Sequence, residues 1–215
     1  MKAVNIQTIV VGEIMTNCYL VCNTSTSESF IVDPGDEADR LIHRIDASGT
    51  RMCGILLTHG HFDHILAVDE LREHYHVPVY AFADEEPLLA DPESNLSADN
   101  GVDCCIRADH LLQDGECFTL AGCRIRTIHT PGHTKGSCCY ELVDEAVLFS
   151  GDTLFRESAG RTDFPGGNLE QLLSSIHRLV NDLPGETRVY PGHDAATSIE
   201  MEARYNPFVY DLYSF

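Results

Sequence analysis

The chain has 215 residues, 43% of them hydrophobic, nine cysteines and a formal net charge of -20. This length allows one domain with a substantial core. The acidity disfavours nucleic-acid and anionic-membrane partners, and no apolar run approaches the roughly 20 residues of a membrane span. The leading residues carry no signal-peptide apolar core. With no Cys-x-x-Cys pair, the scattered thiols fit a reducing cytoplasm.

Residues 6–11 and 18–22 read as strands joined by Gly12-Glu13-Ile14-Met15-Thr16-Asn17. Phe30-Ile31-Val32 is a third, stopped by Asp33-Pro34-Gly35, because proline removes a ladder donor and glycine permits the turn. Ala38, Leu41, Ile42 and Ile45 recur at helical spacing and predict a helix over 37–46. Gly54-Ile55-Leu56-Leu57 reads as a short buried strand and 65–72 as a helix. Between them, Thr58-His59-Gly60-His61-Phe62-Asp63-His64 holds four candidate metal ligands in six positions. A strand-to-helix turn lets successive side chains converge, and imidazole with carboxylate suits zinc, iron or manganese.

Residues 77–82 predict another strand and 85–90 a short helix; the rest of the acidic stretch 84–103 reads as loop. His74 and His76 read as surface residues, and the doublets Cys104-Cys105 and Cys138-Cys139 as needing one buried member each. Strands are predicted over 117–120, 124–129 and 138–142, with His129 packed and Thr130-Pro131-Gly132-His133-Thr134 turning between the last two. An apolar strand at 146–149 runs into Ser150-Gly151-Asp152-Thr153, where a strand-end carboxylate is costly unless paired or on a metal. Leu172, Leu173, Ile176, Leu179 and Val180 predict an amphipathic helix over 169–183. A strand at 188–190 ends in Pro191-Gly192-His193-Asp194, and a helix over 199–205 precedes an aromatic tail.

Taken together, His59, His61, Asp63, His64, His133, Asp152 and His193 in these motifs resemble the metallo-β-lactamase fold superfamily over about residues 6–208. Spacing alone gives a mixed α and β domain, with a change of sheet near Asp99. The resemblance implies more: an α/β (α+β) chain forming a four-layer αββα sandwich, one domain over 1–215. It puts one metal on His59, His61 and His133, a second on Asp63, His64 and His193, and Asp152 as the bridge between two divalent metal ions, zinc first, with iron or manganese as alternatives. It also makes Asp33 a hydrogen-bonding support for a ligand histidine, the alternative being a turn residue only.

Within that superfamily the chain looks most like the small glyoxalase II-like hydrolases, on Asn17-Cys18-Tyr19, Gly151-Asp152-Thr153-Leu154-Phe155 and Gly160-Arg161-Thr162-Asp163-Phe164. The implied reaction is attack of a metal-bridging hydroxide on a thioester carbonyl, with Asp63 orienting it or passing a proton. Arg161, where glyoxalase II carries a lysine, would meet a substrate carboxylate; the alternative is an Arg161–Asp163 pair that shapes the loop. The implied partner is a small-molecule thioester or ester, the implied state a monomer or homodimer, and the setting cytoplasmic. Two departures bear on glutathione as part of the substrate: glyoxalase II has a helical C-terminal extension that this sequence lacks, and a histidine where Gly60 stands. The Gly-Arg-Thr-Asp-Phe loop also occurs in persulfide dioxygenases, where one iron would sit on His59, His133 and Asp152. A noncatalytic metal-binding protein is the third reading, and the acidity disfavours the nucleases of the superfamily.

Overall fold

The structure, a computed structural model, describes residues 4–210; the start of the leading segment, 1–3, and the end of the aromatic tail, 211–215, lie outside the described residues. A first sheet is built from β1 (Val4–Val11), β2 (Thr16–Asn23), β3 (Glu28–Val32), β4 (Arg51–Leu56), β5 (Val79–Phe82) and β6 (His110–Leu112), in that order across the sheet. The first three are antiparallel neighbours, and β3 to β6 run parallel. After these come β7 (Cys117–Leu120), β8 (Cys123–His129), β9 (Cys138–Leu142), β10 (Val147–Gly151), the small hairpin β11 (Leu154–Phe155) and β12 (Ser158–Ala159), β13 (Arg188–Pro191) and β14 (Thr197–Ser198). The second sheet has the order β14-β13-β10-β9-β8-β7.

Three apolar clusters define four layers. On the outer face of the first sheet, α1 (Ala38–Ser48) contributes Leu41 and Ile45; α2 (Phe62–Ile65) and α3 (Val68–Tyr75) follow β4, and Val68 and Leu71 of α3 join the same cluster with Leu20, Ile31 and Ile55. Between the sheets, Val21, Phe30 and Leu56 meet Ile125, Tyr140 and Phe149. After α4 (Glu86–Leu89), the outer face of the second sheet is covered by α5 (Leu169–Asp182) and α6 (Ile199–Tyr205), with α7 (Pro207–Tyr210) closing the described chain. Leu172, Ile176 and Leu179 of α5, spaced to share one helical face, pack on Cys139, Leu148 and Val189. Asn168 starts that helix by accepting a hydrogen bond from the Gln171 amide at 3.0 Å. The expected αββα sandwich is therefore present.

Three expectations need correction. The boundary between the sheets falls after Leu112, not near Asp99, because β6 joins the first sheet through β5. With three residues, two of them exposed, β6 carries no readable alternation. The helix expected over 65–72 is broken: the Ala67 amide turns to the Pro34 carbonyl at 3.1 Å, so α2 ends and α3 begins at Val68. Finally, Cys138 and Cys139 are both buried. Side chains alternate across a strand, and both faces of β9 are covered, so Cys138 enters the central cluster and Cys139 the outer one.

Candidate metal centre

Every expected ligand lies just past the C-terminal end of a strand: His59, His61, Asp63 and His64 after β4, His133 after β8, Asp152 after β10 and His193 after β13. Because β8 and β10 are both antiparallel to β9, and β10 is parallel to β13, these three strands end on one edge of the second sheet. The side chains meet there as three overlapping groups: His59 with His61 and His133, Asp63 with His64 and His193, and His59 and His64 with Asp152. Within each, the candidate ligand atoms lie within 4.8 Å of one another. Asp152 stands between the first two groups: Oδ1 is 3.5 Å from His64 Nε2, and Oδ2 is 3.6 Å from Nε2 of both His133 and His193. His61 Nδ1 and His133 Nε2 are 2.9 Å apart.

Surrounding hydrogen bonds fix which ring nitrogens face inward. His133 Nδ1 donates to the Arg161 carbonyl at 2.7 Å, and His64 Nδ1 donates to Asp33 Oδ2 at 3.0 Å. Thr58 gives its hydroxyl proton to Asp33 Oδ2 at 2.6 Å, so its oxygen accepts from His59 Nδ1 at 3.2 Å. Each of these imidazoles thus turns its Nε2 to the centre, the orientation that metal-binding histidines need. Asp33 is therefore more than a turn residue.

The donors fit divalent cations. Nε2 of His59, His61 and His64 and Oδ1 of Asp152 are buried with no hydrogen-bond partner, a state that costs about 1–3 kcal/mol for each such atom when nothing compensates it. Burial, reinforced by His64, holds His59 well below the ordinary imidazole range. Burial with the His133 charge takes His61 down to about 3. Both stay in the neutral form that binds metal. Burial also opposes charge on His64 and on Asp63, but their attraction outweighs it, raising His64 and lowering Asp63. His193 is raised, since its bond to Asp63 and the Asp152 charge outweigh burial.

Several supporting residues were not visible as such in the sequence. Thr16 donates to Asp63 Oδ2 at 2.7 Å. Asn17 Nδ2 donates to the carbonyls of Pro191 and Asp194 at 3.0 and 2.9 Å, and Tyr19 donates to Pro191 at 2.5 Å. The Asn-Cys-Tyr stretch thus grips the loop that carries His193. Glu85, expected only as a helix start, is buried and accepts from the Gly60 and Gly136 amides, each at 2.8 Å, and from the Thr134 hydroxyl. Burial pushes its carboxyl up to about 7 against the pull of those donors.

Arg161 does not reach into the centre with its side chain. The guanidinium forms two hydrogen bonds to Asp163, at 2.7 and 2.6 Å, and lies 4.0 Å from the Phe164 ring centroid. That ring packs edge-on against His61 at 5.5 Å. His129 stacks on Phe82 instead of joining the ligands, and His74 and His76 are exposed, all as expected. Beside Asp63 opens a cavity of about 270 Å³, walled by Ile14, Phe62, Leu66 and Val102 with Glu13 and Asp36 at its sides.

Comparison with known proteins agrees with this geometry. The profile of the metallo-beta-lactamase superfamily matches residues 11–193. The chain is 41% identical over 202 residues to the probable metallo-hydrolase YqgX of Bacillus subtilis, covering 93% of this chain and 94% of that one. It is 35% identical over 208 residues to the hydroxyacylglutathione hydrolase GloC of Haemophilus influenzae, covering 95% and 98%. Among solved structures it resembles the BLEG-1 B3 metallo-beta-lactamase, with TM-score 0.90, 42% identity and coverage of 95% and 99%. TTHA1623 in a di-iron-bound form follows, with TM-score 0.84, 36% identity and coverage of 94% and 100%.

Proposed function

The chain belongs to the metallo-beta-lactamase superfamily, and within it we propose a metal-dependent thioesterase of the glyoxalase II-like kind, acting on a small-molecule thioester. The observation that carries the reading is Asp152 between two three-residue groups, with its own Oδ1 and Nε2 of His59, His61 and His64 buried and without a hydrogen-bond partner. His59, His61 and His133 would hold one divalent cation, Asp63, His64 and His193 the other, with Asp152 bridging. Cations held there supply Lewis acidity and water activated near neutral pH.

The remaining work falls to the chain's own groups. Asp63, held ionised by its attraction to His64 and oriented by Thr16, is suited to align a nucleophile. An ionised carboxylate is no proton donor for a leaving group. A thiolate needs none, because a free thiol has a pKa of only about 8.5. The cavity beside Asp63 offers an apolar wall for one arm of the substrate, and none of the residues lining it is cationic. The favoured arm is therefore apolar and not anionic, since Glu13, Asp36 and Asp63 also line the cavity. The similarity to the Haemophilus influenzae hydroxyacylglutathione hydrolase supports the reaction type. Nine free cysteines suit the cytoplasmic setting proposed with it, and no helix among the described residues is long and apolar enough to cross a membrane.

A second reading is a persulfide dioxygenase with one iron on His59, His133 and Asp152; the similar TTHA1623 structure supports iron as the metal, though it holds two ions. One experiment separates the two: elemental analysis and assays on the same preparation. Two metal ions per chain with thioester hydrolysis is the expected result. One iron per chain with oxygen consumed on glutathione persulfide would put the dioxygenase in its place.

A further inference from the structure

Three segments meet behind the His59, His61 and His133 group: the His-Gly-His turn, the loop 130–137 and the stretch 83–89. Their contact is close enough to exclude side chains. A Cβ at Gly60 would lie 2.7 Å from Leu88 Cδ2 and 2.9 Å from Leu89 Cδ2, and one at Gly136 would lie 2.2 Å from the Glu85 nitrogen. Glu85 is the polar link in this contact, and it is 1% exposed. Its Oε1 takes the Gly60 amide at 2.8 Å and its Oε2 the Gly136 amide at 2.8 Å, while the Thr134 hydroxyl lies 2.8 and 2.9 Å from the two oxygens. Gly60 stands between two ligands of the group, and Thr134 follows the third directly.

We propose that Glu85 is a positioning residue for the cation of the His59, His61 and His133 group, a buried carboxylate that sets the separation of the two ligand-bearing loops. The inference rests on the metal reading above. Each carboxylate oxygen faces a backbone donor on a different ligand-bearing loop, and the Thr134 hydroxyl, itself 2.6 Å from the Ser137 hydroxyl, closes the set. A glutamine would turn its NH2 toward the Gly60 or Gly136 amide, donor against donor, and force the loops apart. A buried carboxylate that served only general packing would not be tied to one of two metal groups.

The test is stepwise zinc titration of the purified full chain against a chelator, with cobalt(II) absorption as a geometric readout. The His193→Ala variant identifies the step that belongs to the first group. Glu85→Gln is expected to weaken that step about 10–100-fold, the usual loss when a ligand's outer partner is removed, and to shift its cobalt bands, while the other step holds. Thr134→Val should produce a smaller loss in the same step, and Thr134→Ser should restore it. If Glu85→Gln fails to fold, the Thr134 pair decides. Unaltered affinity and cobalt spectra in Glu85→Gln and Thr134→Val would overturn this inference alone. Absence of metal binding by the unaltered protein would overturn it together with the thioesterase reading.

Discussion

The two ligand groups share one carboxylate but are built differently. His59, His61 and His133 are imidazole donors only, at most 3% exposed, on loops clasped by Glu85. In the other group Asp63 brings a negative charge, and its side chain and that of His193 are 11% and 22% exposed. That group is held by Asp33, Thr16, Asn17 and Tyr19, and Asp63 lines the cavity. On the proposed reading, the dry all-imidazole group would suit retention of an ion, whereas partial exposure and a carboxylate would suit contact with water and substrate.

The largest expected effect removes what the groups share. Asp152→Ala should empty both positions of metal, and kcat/KM should fall on the order of 10³-fold, as when a main electrostatic stabiliser is lost. Metal per chain by elemental analysis, measured beside hydrolysis, checks this. Loss from one group with the other fully loaded would mean that Asp152 belongs to that group and bridges nothing.

A smaller effect sharpens the contrast through pH. A metal ion must displace protons from its ligands. His61 is held down to about 3 and His59 is lowered by burial, so acidification from pH 8 to 5.5 adds no proton to either. His64 and His193 are raised, so in the metal-free protein they take up protons earlier as pH falls. Acid therefore competes with metal in the second group, by about tenfold in affinity per pH unit for each proton displaced. Metal retained after dialysis across this range should drop from two ions toward one before the second is lost. Simultaneous release of both would erase the distinction between the groups.

The same contrast explains what could be read in the sequence. The candidate ligands were legible because each sits on a short turn rich in glycine or proline after an apolar strand, as in Thr130-Pro131-Gly132-His133. The layers were legible for a similar reason: the spacing of Leu172, Ile176 and Leu179 marks a covered face. Glu85 was not, since its partners are two backbone amides and a hydroxyl, 25 to 51 positions away. Amides have no sequence signature, so a carboxylate that serves them looks like any acidic residue in an acidic stretch. Cys138 and Cys139 misled for a different reason: two consecutive buried positions require both faces of a strand to be covered, which is a property of the assembled layers.

Arg161 is where the smallest effect is expected and where two readings divide most cleanly. Its side chain is 58% exposed, and such ion pairs contribute little to stability. What it gives to the metal group comes through its backbone carbonyl, which accepts from His133 Nδ1 and survives any substitution. Its guanidinium, held by Asp163 and stacked on Phe164, supports the ring that packs against His61. Arg161→Gln should therefore lower kcat/KM less than about tenfold, since only an indirect contact behind one ligand is lost. The loss should be equal for a glutathione thioester and for an uncharged N-acetylcysteamine thioester. A guanidinium that instead swung out to pair with a substrate carboxylate would behave differently: KM would rise for the glutathione thioester alone, and kcat would hold. That split would return Arg161 to substrate binding and place an anionic arm beside the buried group, contrary to the non-anionic arm expected in the cavity.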